Sequence, residues 1–305
     1  KNTGVEISLS TVNVQTKDFY WSTTFSFAKN KNEILELNGG KEDLVANKWF
    51  IGQPIDVIYD YEYAGVCTAE EARAYATNDA IKTKFIEGEM KLKDQQQPGE
   101  EGYGVIDEND LVVLGHALPK WTGSVTSNMT YKNFDFSFSI YTKQGGMVES
   151  PFMAEFTNYK DRGRNKLKMD YYIPAGTPVL NADGSGYTLT TEAHMGAYPY
   201  PTNTANNNYG GGIGWGTDKQ TTYVGNSYVD NSFVKIKNIT LGYTFPKSWM
   251  SKIGVDHLRL YVNVLNPFTF TSYKGFDPEW ADAALNDGTG GPSSRTYQVG
   301  VNLKF

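Results

Sequence analysis

One cysteine, Cys67, occurs in 305 residues, so neither an internal disulfide framework nor a cysteine-based zinc cluster can form. Histidine is almost as scarce. His116, His194 and His257 are scattered, without HExxH or paired spacing, which removes the common zinc sites. No run approaches the ~18 apolar residues of a membrane helix, and the mean hydropathy is -0.48. A transmembrane barrel stays open, because its strands hide apolar residues at every second position. Positive charge is short as well: 28 Lys and Arg stand against 34 Asp and Glu, giving a net charge of -6. With no basic stripe or polybasic tail, nucleic acid is not an expected partner. There is no G-x-S-x-G nucleophile elbow. The glycine run GGGIGWG at 210–216 lacks both GxGxxG spacing and a strand–helix setting, so it reads as a loop. Lys1 follows no Met, signal peptide or lipobox, which suggests a processed chain or a fragment.

Aromatic residues and glycine are plentiful. They include 21 Tyr, 16 Phe and 31 Gly, a mix that favours pleated sheet with many turns over a helical bundle. The final stretch, SSRTYQVGVNLKF, alternates: Tyr297, Val299, Val301, Leu303 and Phe305 share one face. Thr296, Gln298, Gly300, Asn302 and Lys304 share the other, because successive strand side chains point to opposite sides. Similar alternation gives about seven full strands, near 4–14, 19–35, 121–131, 133–143, 232–245, 258–271 and 295–305. Lys17-Asp18-Phe19 and Lys132-Asn133-Phe134 are short and join long runs, as hairpin turns do. The connections 38–120, 144–232 and 272–294 are long, and Pro246 to His257 is intermediate and assigned to the short side. Short turns at one end and long loops at the other are the pattern of outer-membrane barrels. Soluble sandwiches also alternate. A secreted soluble glycan-binding β-sandwich is therefore the alternative reading.

Specific stretches go further. They are SFVKIKNITLGYTFP (232–246), LRLYVNVLNPFTFTSYKGFDPEW (258–280) and RTYQVGVNLKF at the end. GVEISL (4–9), GQPIDVIYDYEYAGV (52–66), IDENDLVVLG (106–115) and YKNFDFSFSIY (131–141) add to them. Together, and in this order, they resemble the C-terminal part of SusC/RagA-like TonB-dependent outer-membrane transporters. The resemblance implies an all-β fold, a segment of an antiparallel transmembrane barrel of 22 strands with long extracellular loops. An odd count of seven cannot close an alternating barrel, so residues 1–305 are expected to be the C-terminal portion of a larger one, with plug and TonB box absent. It further implies outer-membrane localisation in a Gram-negative bacterium and import of oligosaccharides or peptides, not enzymatic turnover. The implied partners are the remaining barrel strands and plug, a SusD-like surface lipoprotein, TonB–ExbB–ExbD through the plug, and outer-membrane lipid. Tyr297, Val299, Val301 and Leu303 would face lipid, with Phe305 resembling the terminal aromatic read by the insertion machinery.

Within 38–120, GEEGYGVIDEND (99–110) resembles the family's calcium loop, D-x-N-x-D-G-x-I-D-x-x-D. Such a loop offers hard oxygen ligands around a glycine turn. Here Gly99 replaces the first Asp and Tyr103 stands at the fifth position, leaving Glu101, Asp107, Asp110 and the Val105 carbonyl. The expectation is a structural turn without a cofactor, with Ca2+ as the alternative occupant. Thr68-Ala-Glu-Glu71 reads as a capping box opening a short helix through about Tyr75. Asp277 and Glu279 could be drawn as a glycosidase pair. They fall in GFDPEW, however, which resembles an ordinary loop motif of the family. Tyr209, Trp215, Tyr223 and Trp280 lie in long loops. Their rings suit stacking on sugars, anchoring in the membrane interface or packing against a partner lid.

Overall fold

The computed structural model describes residues 1–151, 170–198, 228–281 and 291–305. Seven long strands dominate it: β1 (Asn2–Gln15), β2 (Phe19–Asn32), β3 (Trp121–Tyr131), β4 (Phe134–Gln144), β5 (Phe233–Thr244), β6 (His257–Thr271) and β7 (Thr296–Lys304). They form one antiparallel sheet in which every strand pairs with its neighbours in sequence order. This is an up-and-down meander. β2 ends three residues earlier than the sequence pattern extends it. A strand of eleven residues spans roughly 36 Å, and tilted by about 45° it covers about 25 Å.

The turns gather at one end. In the β1–β2 turn, Thr16 N–H donates to the Phe19 carbonyl at 2.8 Å. In the β3–β4 turn Lys132 takes φ 52°, the left-handed conformation that lets two residues reverse the chain. Neighbouring turns are tied across the sheet, with Lys132 N–H donating to Asp18 O and Thr244 N–H to Asn133 O, both at 2.8 Å. The β5–β6 connection closes at this same end with a short helix, α2 (Lys247–Met250), a 3-10 turn (Ser251–Ile253), and Gly254 at φ 72°. The long connections 33–120, 145–232 and 272–295 all leave from the opposite end.

Alternation sorts the two faces. Ile7, Leu9, Phe25, Leu241, Leu260, Val262, Val299 and Val301 lie on one face and are exposed. Trp21 shares that face, and its indole N–H donates to Ser127 Oγ at 2.9 Å, so the ring can sit in an apolar medium without an orphan donor. Glu6, Ser8, Ser26, Ser124, Tyr141, Thr240, Asn263 and Gln298 populate the other face, following the strand registers. A sandwich would require a second sheet over the apolar face. Among the described residues the other sheets are two-stranded, and Val299 remains 81% exposed. β1 and β7 each pair on one side only, so the sheet has two open edges among the described residues.

The expected loop 38–120 holds structure of its own. Val57–Tyr61 pairs with Leu111–His116, and Tyr63–Val66 pairs with Met90–Leu92. Helix α1 (Ala69–Thr77) opens on the expected capping box: Glu71 N–H donates to Thr68 Oγ1, and Thr68 N–H donates back to the Glu71 carboxylate. Cys67, Phe85, Met90 and Leu92 form a small core beneath it. Tyrosine hydroxyls join this body to the 144–232 connection. Tyr228 donates to Asp60 Oδ2 at 2.5 Å and Tyr63 to the Ala197 carbonyl at 2.8 Å. Buried Tyr172 donates to the Glu87 carboxylate.

Candidate functional site

The polar face carries its densest charge where β5 leaves the long-loop end. The cause is a register shift. Between Ile236 and Asn238, β4 advances only from Ile140 to Ser139, while β6 advances from Phe268 to Leu265. Asn266 absorbs the mismatch on β6 at φ 49°, a conformation asparagine tolerates, just before Pro267. The bulge puts Lys235 opposite Tyr141, on the face of Thr240 and Gly242, although simple alternation would pair its side with Ile239 and Leu241.

Lys235 is 1% exposed. Its ammonium lies 2.9 and 3.2 Å from the two Asp277 oxygens and 3.2 Å from Ser293 Oγ, and it also donates to Glu279. Lys237, the extra residue of the bulge, donates to both oxygens of Glu279. Asp277 accepts the backbone N–H groups of Glu279 at 3.1 Å and Ser293 at 2.9 Å. Two lysines from β5 are thereby matched to two carboxylates from the 272–294 connection. Burial alone pushes the Asp277 carboxyl up, but the bonds from Lys235 and the two backbone N–H groups outweigh it and hold it below the ordinary range. Burial likewise raises Glu279, and Lys235 and Lys237 bring it below its usual value.

That balance decides what the cluster can do. Glycoside hydrolysis needs one carboxyl kept protonated as an acid. Both of these are shifted the other way, by their lysine partners. Lys235 has its three N–H donors committed to four acceptors, so it is no free nucleophile. The arrangement fastens a loop to a strand.

A second pair spans the sheet nearer the turns. Arg259 Nε and Nη2 lie 2.9 and 2.5 Å from the two oxygens of Asp135, a bidentate fork from β6 to β4. It crosses over β5 at Gly242, where an added Cβ would meet Asp135 Oδ1 at 2.4 Å and Arg259 Nη2 at 2.5 Å. The guanidinium stacks 4.9 Å from the Tyr261 ring. That ring covers Gly300 on β7, where a Cβ would come within 2.2 Å of Cζ. Neither glycine is marked by a turn in the sequence; both are required by what lies across them.

The candidate residues from the sequence are not gathered in one place. Tyr209, Trp215 and Tyr223 lie outside the described residues. Trp280 closes the 3-10 turn Pro278–Trp280, next to Glu279 of the buried cluster. In the 99–110 loop, Asp107 and Asp110 form a reciprocal cap. Asp110 is wholly buried, accepting Gln95 N–H at 2.7 Å and Asp107 N–H at 2.8 Å, while Glu101 stays exposed. Asp94, which the sequence reading missed, accepts Gln96 N–H and Gly104 N–H on its two oxygens. Among the described residues no group of three or more His, Cys, Asp or Glu is placed to hold a metal ion. Tyr297, Val299, Val301, Leu303 and Phe305 are all exposed. A cleft of about 240 Å³ opens between α1 and the 99–106 stretch, lined by Tyr75, Phe85, Leu92, Tyr103 and Ile106.

No protein-family model matches the chain. Over its full length it is 29% identical to TonB-dependent receptor P3 of Formosa agariphila and 27% identical to TonB-dependent receptor SusC of Bacteroides thetaiotaomicron. It spans 29% and 26% of those two proteins, less than a third of either. Among solved structures, the RagAB peptide transporter superposes on the whole chain with a TM-score of 0.63 at 22% identity, over 29% of that protein. The RagAB peptide importer in the closed-closed state gives 0.63 at 21%. The chain is thus similar throughout to TonB-dependent receptors including SusC, and its fold is that of an antiparallel outer-membrane barrel segment.

Proposed function

We propose that this chain forms wall and outer vestibule of a TonB-dependent importer in the outer membrane of a Gram-negative bacterium. The observation that carries this reading is a seven-stranded sheet with one exposed apolar face, one polar face and, among the described residues, two open edges. Hydrocarbon offers no partner to an unpaired strand edge, so a sheet of this kind is stable there only when further strands complete the barrel. Those strands and a plug come from the rest of the same transporter. The short turns face the periplasm and the long loops the outside.

The loop body over the 33–120 and 145–232 connections is the surface a SusD-like lipoprotein would cap. Large nutrients, oligosaccharides or peptides, enter beneath that lid. Trp280 is assigned to substrate or lid contact together with Tyr209, Trp215 and Tyr223. Gating of lid and plug, driven by TonB–ExbB–ExbD, is the mechanism, without bond-making by this chain. The 99–110 loop is assigned a structural role, supported by the backbone N–H groups that Asp110 accepts on its two oxygens; each oxygen keeps a further lone pair, so Ca2+ is the alternative occupant.

The test is transport by cells carrying or lacking the full-length gene, supplied with fluorescently labelled oligosaccharide and peptide mixtures. The reading requires energy-dependent uptake of one class that is lost on deletion, and co-purification with a lipidated surface protein. Uptake unchanged by deletion, or protein released from membranes by salt alone, would overturn it.

A further inference from the structure

Charge is distributed against the overall balance. The chain has a net charge of -6, yet the turn end carries Lys17, Lys132, Lys247, Lys252 and Lys304 against only Asp18 and Asp256, all exposed. Asp135 and Arg259, just inside that end, neutralise one another. Among the described residues no carboxylate lies in salt-bridge range of any of the five lysines. The same end is rich in apolar rings. Tyr131 and Phe134 are exposed, and Tyr243 packs edge-on against Phe245 at 5.1 Å as β5 runs out.

The β5–β6 connection concentrates both features. Met250 and Val255 are buried, Val255 N–H donates to the Met250 carbonyl at 3.1 Å, and Asp256 N–H ties the connection to β7 through the Lys304 carbonyl at 2.8 Å. Trp249, between Lys247 and Lys252, and Ile253, which follows Lys252, are left 56% and 67% exposed. An exposed indole and an exposed aliphatic side chain four residues apart, with two lysines in the same short stretch, suit the boundary of a bilayer. Rings enter the acyl region while long lysine stems lift their charge to the headgroups.

We propose that Lys247-Ser-Trp249-Met-Ser-Lys252-Ile253 is a binding site for anionic phospholipid, with both lysines on the headgroup phosphates and Trp249 and Ile253 in the acyl boundary. Charge complementarity selects this occupant. An anionic surface strengthens attraction on the order of fivefold per lysine, and zwitterionic lipid supplies none of that gain. The site rests on the membrane reading above, placing the turn end at the phospholipid leaflet.

The experiment uses the full-length protein in vesicles of phosphatidylcholine and phosphatidylglycerol, with bromine on the acyl chains of one lipid at a time. Emission from Trp249 is isolated as the difference between wild type and Trp249→Phe. The expected result is several-fold stronger quenching by brominated phosphatidylglycerol than by brominated phosphatidylcholine. That preference should fall towards one in Lys247→Gln/Lys252→Gln, whose exposed positions leave the fold intact. Equal quenching by both lipids, quenching by neither, or a preference unchanged in the double variant overturns the proposal. A bimane on Val299→Cys separates the two levels. If lipid fails to quench bimane, the membrane reading falls; if it quenches bimane while Trp249 shows no selectivity, this site alone falls.

Discussion

Lys235 Nζ lies 2.9 Å from Asp277 Oδ2, with side chains 2% and 4% exposed. The contact ties the start of β5 to a connection 42 residues further on. Removing one partner of a buried pair leaves an uncompensated charge, which costs about 3–5 kcal/mol. Lys235→Met should therefore release the 272–281 stretch that carries Asp277 and Glu279. Limited proteolysis in detergent should cut within 272–281 more readily in the variant than in the wild type. Lys235→Met/Asp277→Asn should recover part of the resistance, because the second change removes the orphan carboxylate.

The same cluster gives a pH dependence with a definite sign. Asp277 and Glu279 are held below their ordinary values in the folded state. Groups of this kind contribute stability that is complete above the unfolded-state pKa and is lost as pH falls through the folded one. Protection of 272–281 should thus be full at neutral pH and decline as pH falls through the ordinary carboxylate range and below it. An acid-stable protease reads this directly. Lys235→Met should show a flatter profile.

Two glycines set how closely the polar face can be crossed. Gly300→Ala would place a methyl within 2.2 Å of the Tyr261 ring, and Gly242→Ala would enter the Asp135–Arg259 fork. Overpacking of this kind costs about 1–3 kcal/mol. Urea unfolding in detergent should show the loss for each. Gly300→Ala/Tyr261→Ala should regain much of it, since the obstructing ring is gone.

Cys67 reports on the loop body. Burial pushes its thiol up to about 11, with Glu71 adding to the effect. Maleimide should react slowly at pH 8 in the folded protein, since the thiolate is the nucleophile. Thr68→Ala removes the helix cap, worth about 1 kcal/mol. It should speed labelling through more frequent opening of the small core around Cys67.

The long strands were legible because each repeats the same alternation over nine or more residues, and the Thr68–Glu71 box announced α1 through two side chains three apart. Lys235 was not. Its face depends on a bulge shared by three strands, and the run FVKIKNITLGYTF reads as one uninterrupted strand. Its acidic partners are distant in sequence, so no local spacing could join them. The short strands of the loop body were hidden for a related reason. Three- to six-residue segments such as Met90–Leu92 take their form from packing around Cys67 and Phe85, not from periodicity.

The central claim is the sorting of β7 between hydrocarbon and water, and adjacent residues test it most directly. Nitroxides on Val299→Cys and, separately, Gln298→Cys in the full-length protein in bilayers would be compared for collision with oxygen and with a water-soluble nickel chelate. The account predicts that 299 is oxygen-accessible and chelate-shielded, and that 298 shows the opposite balance. Chelate access at 299 equal to that at 298, or shielding of 299 from both probes as in a dry protein core, would contradict it.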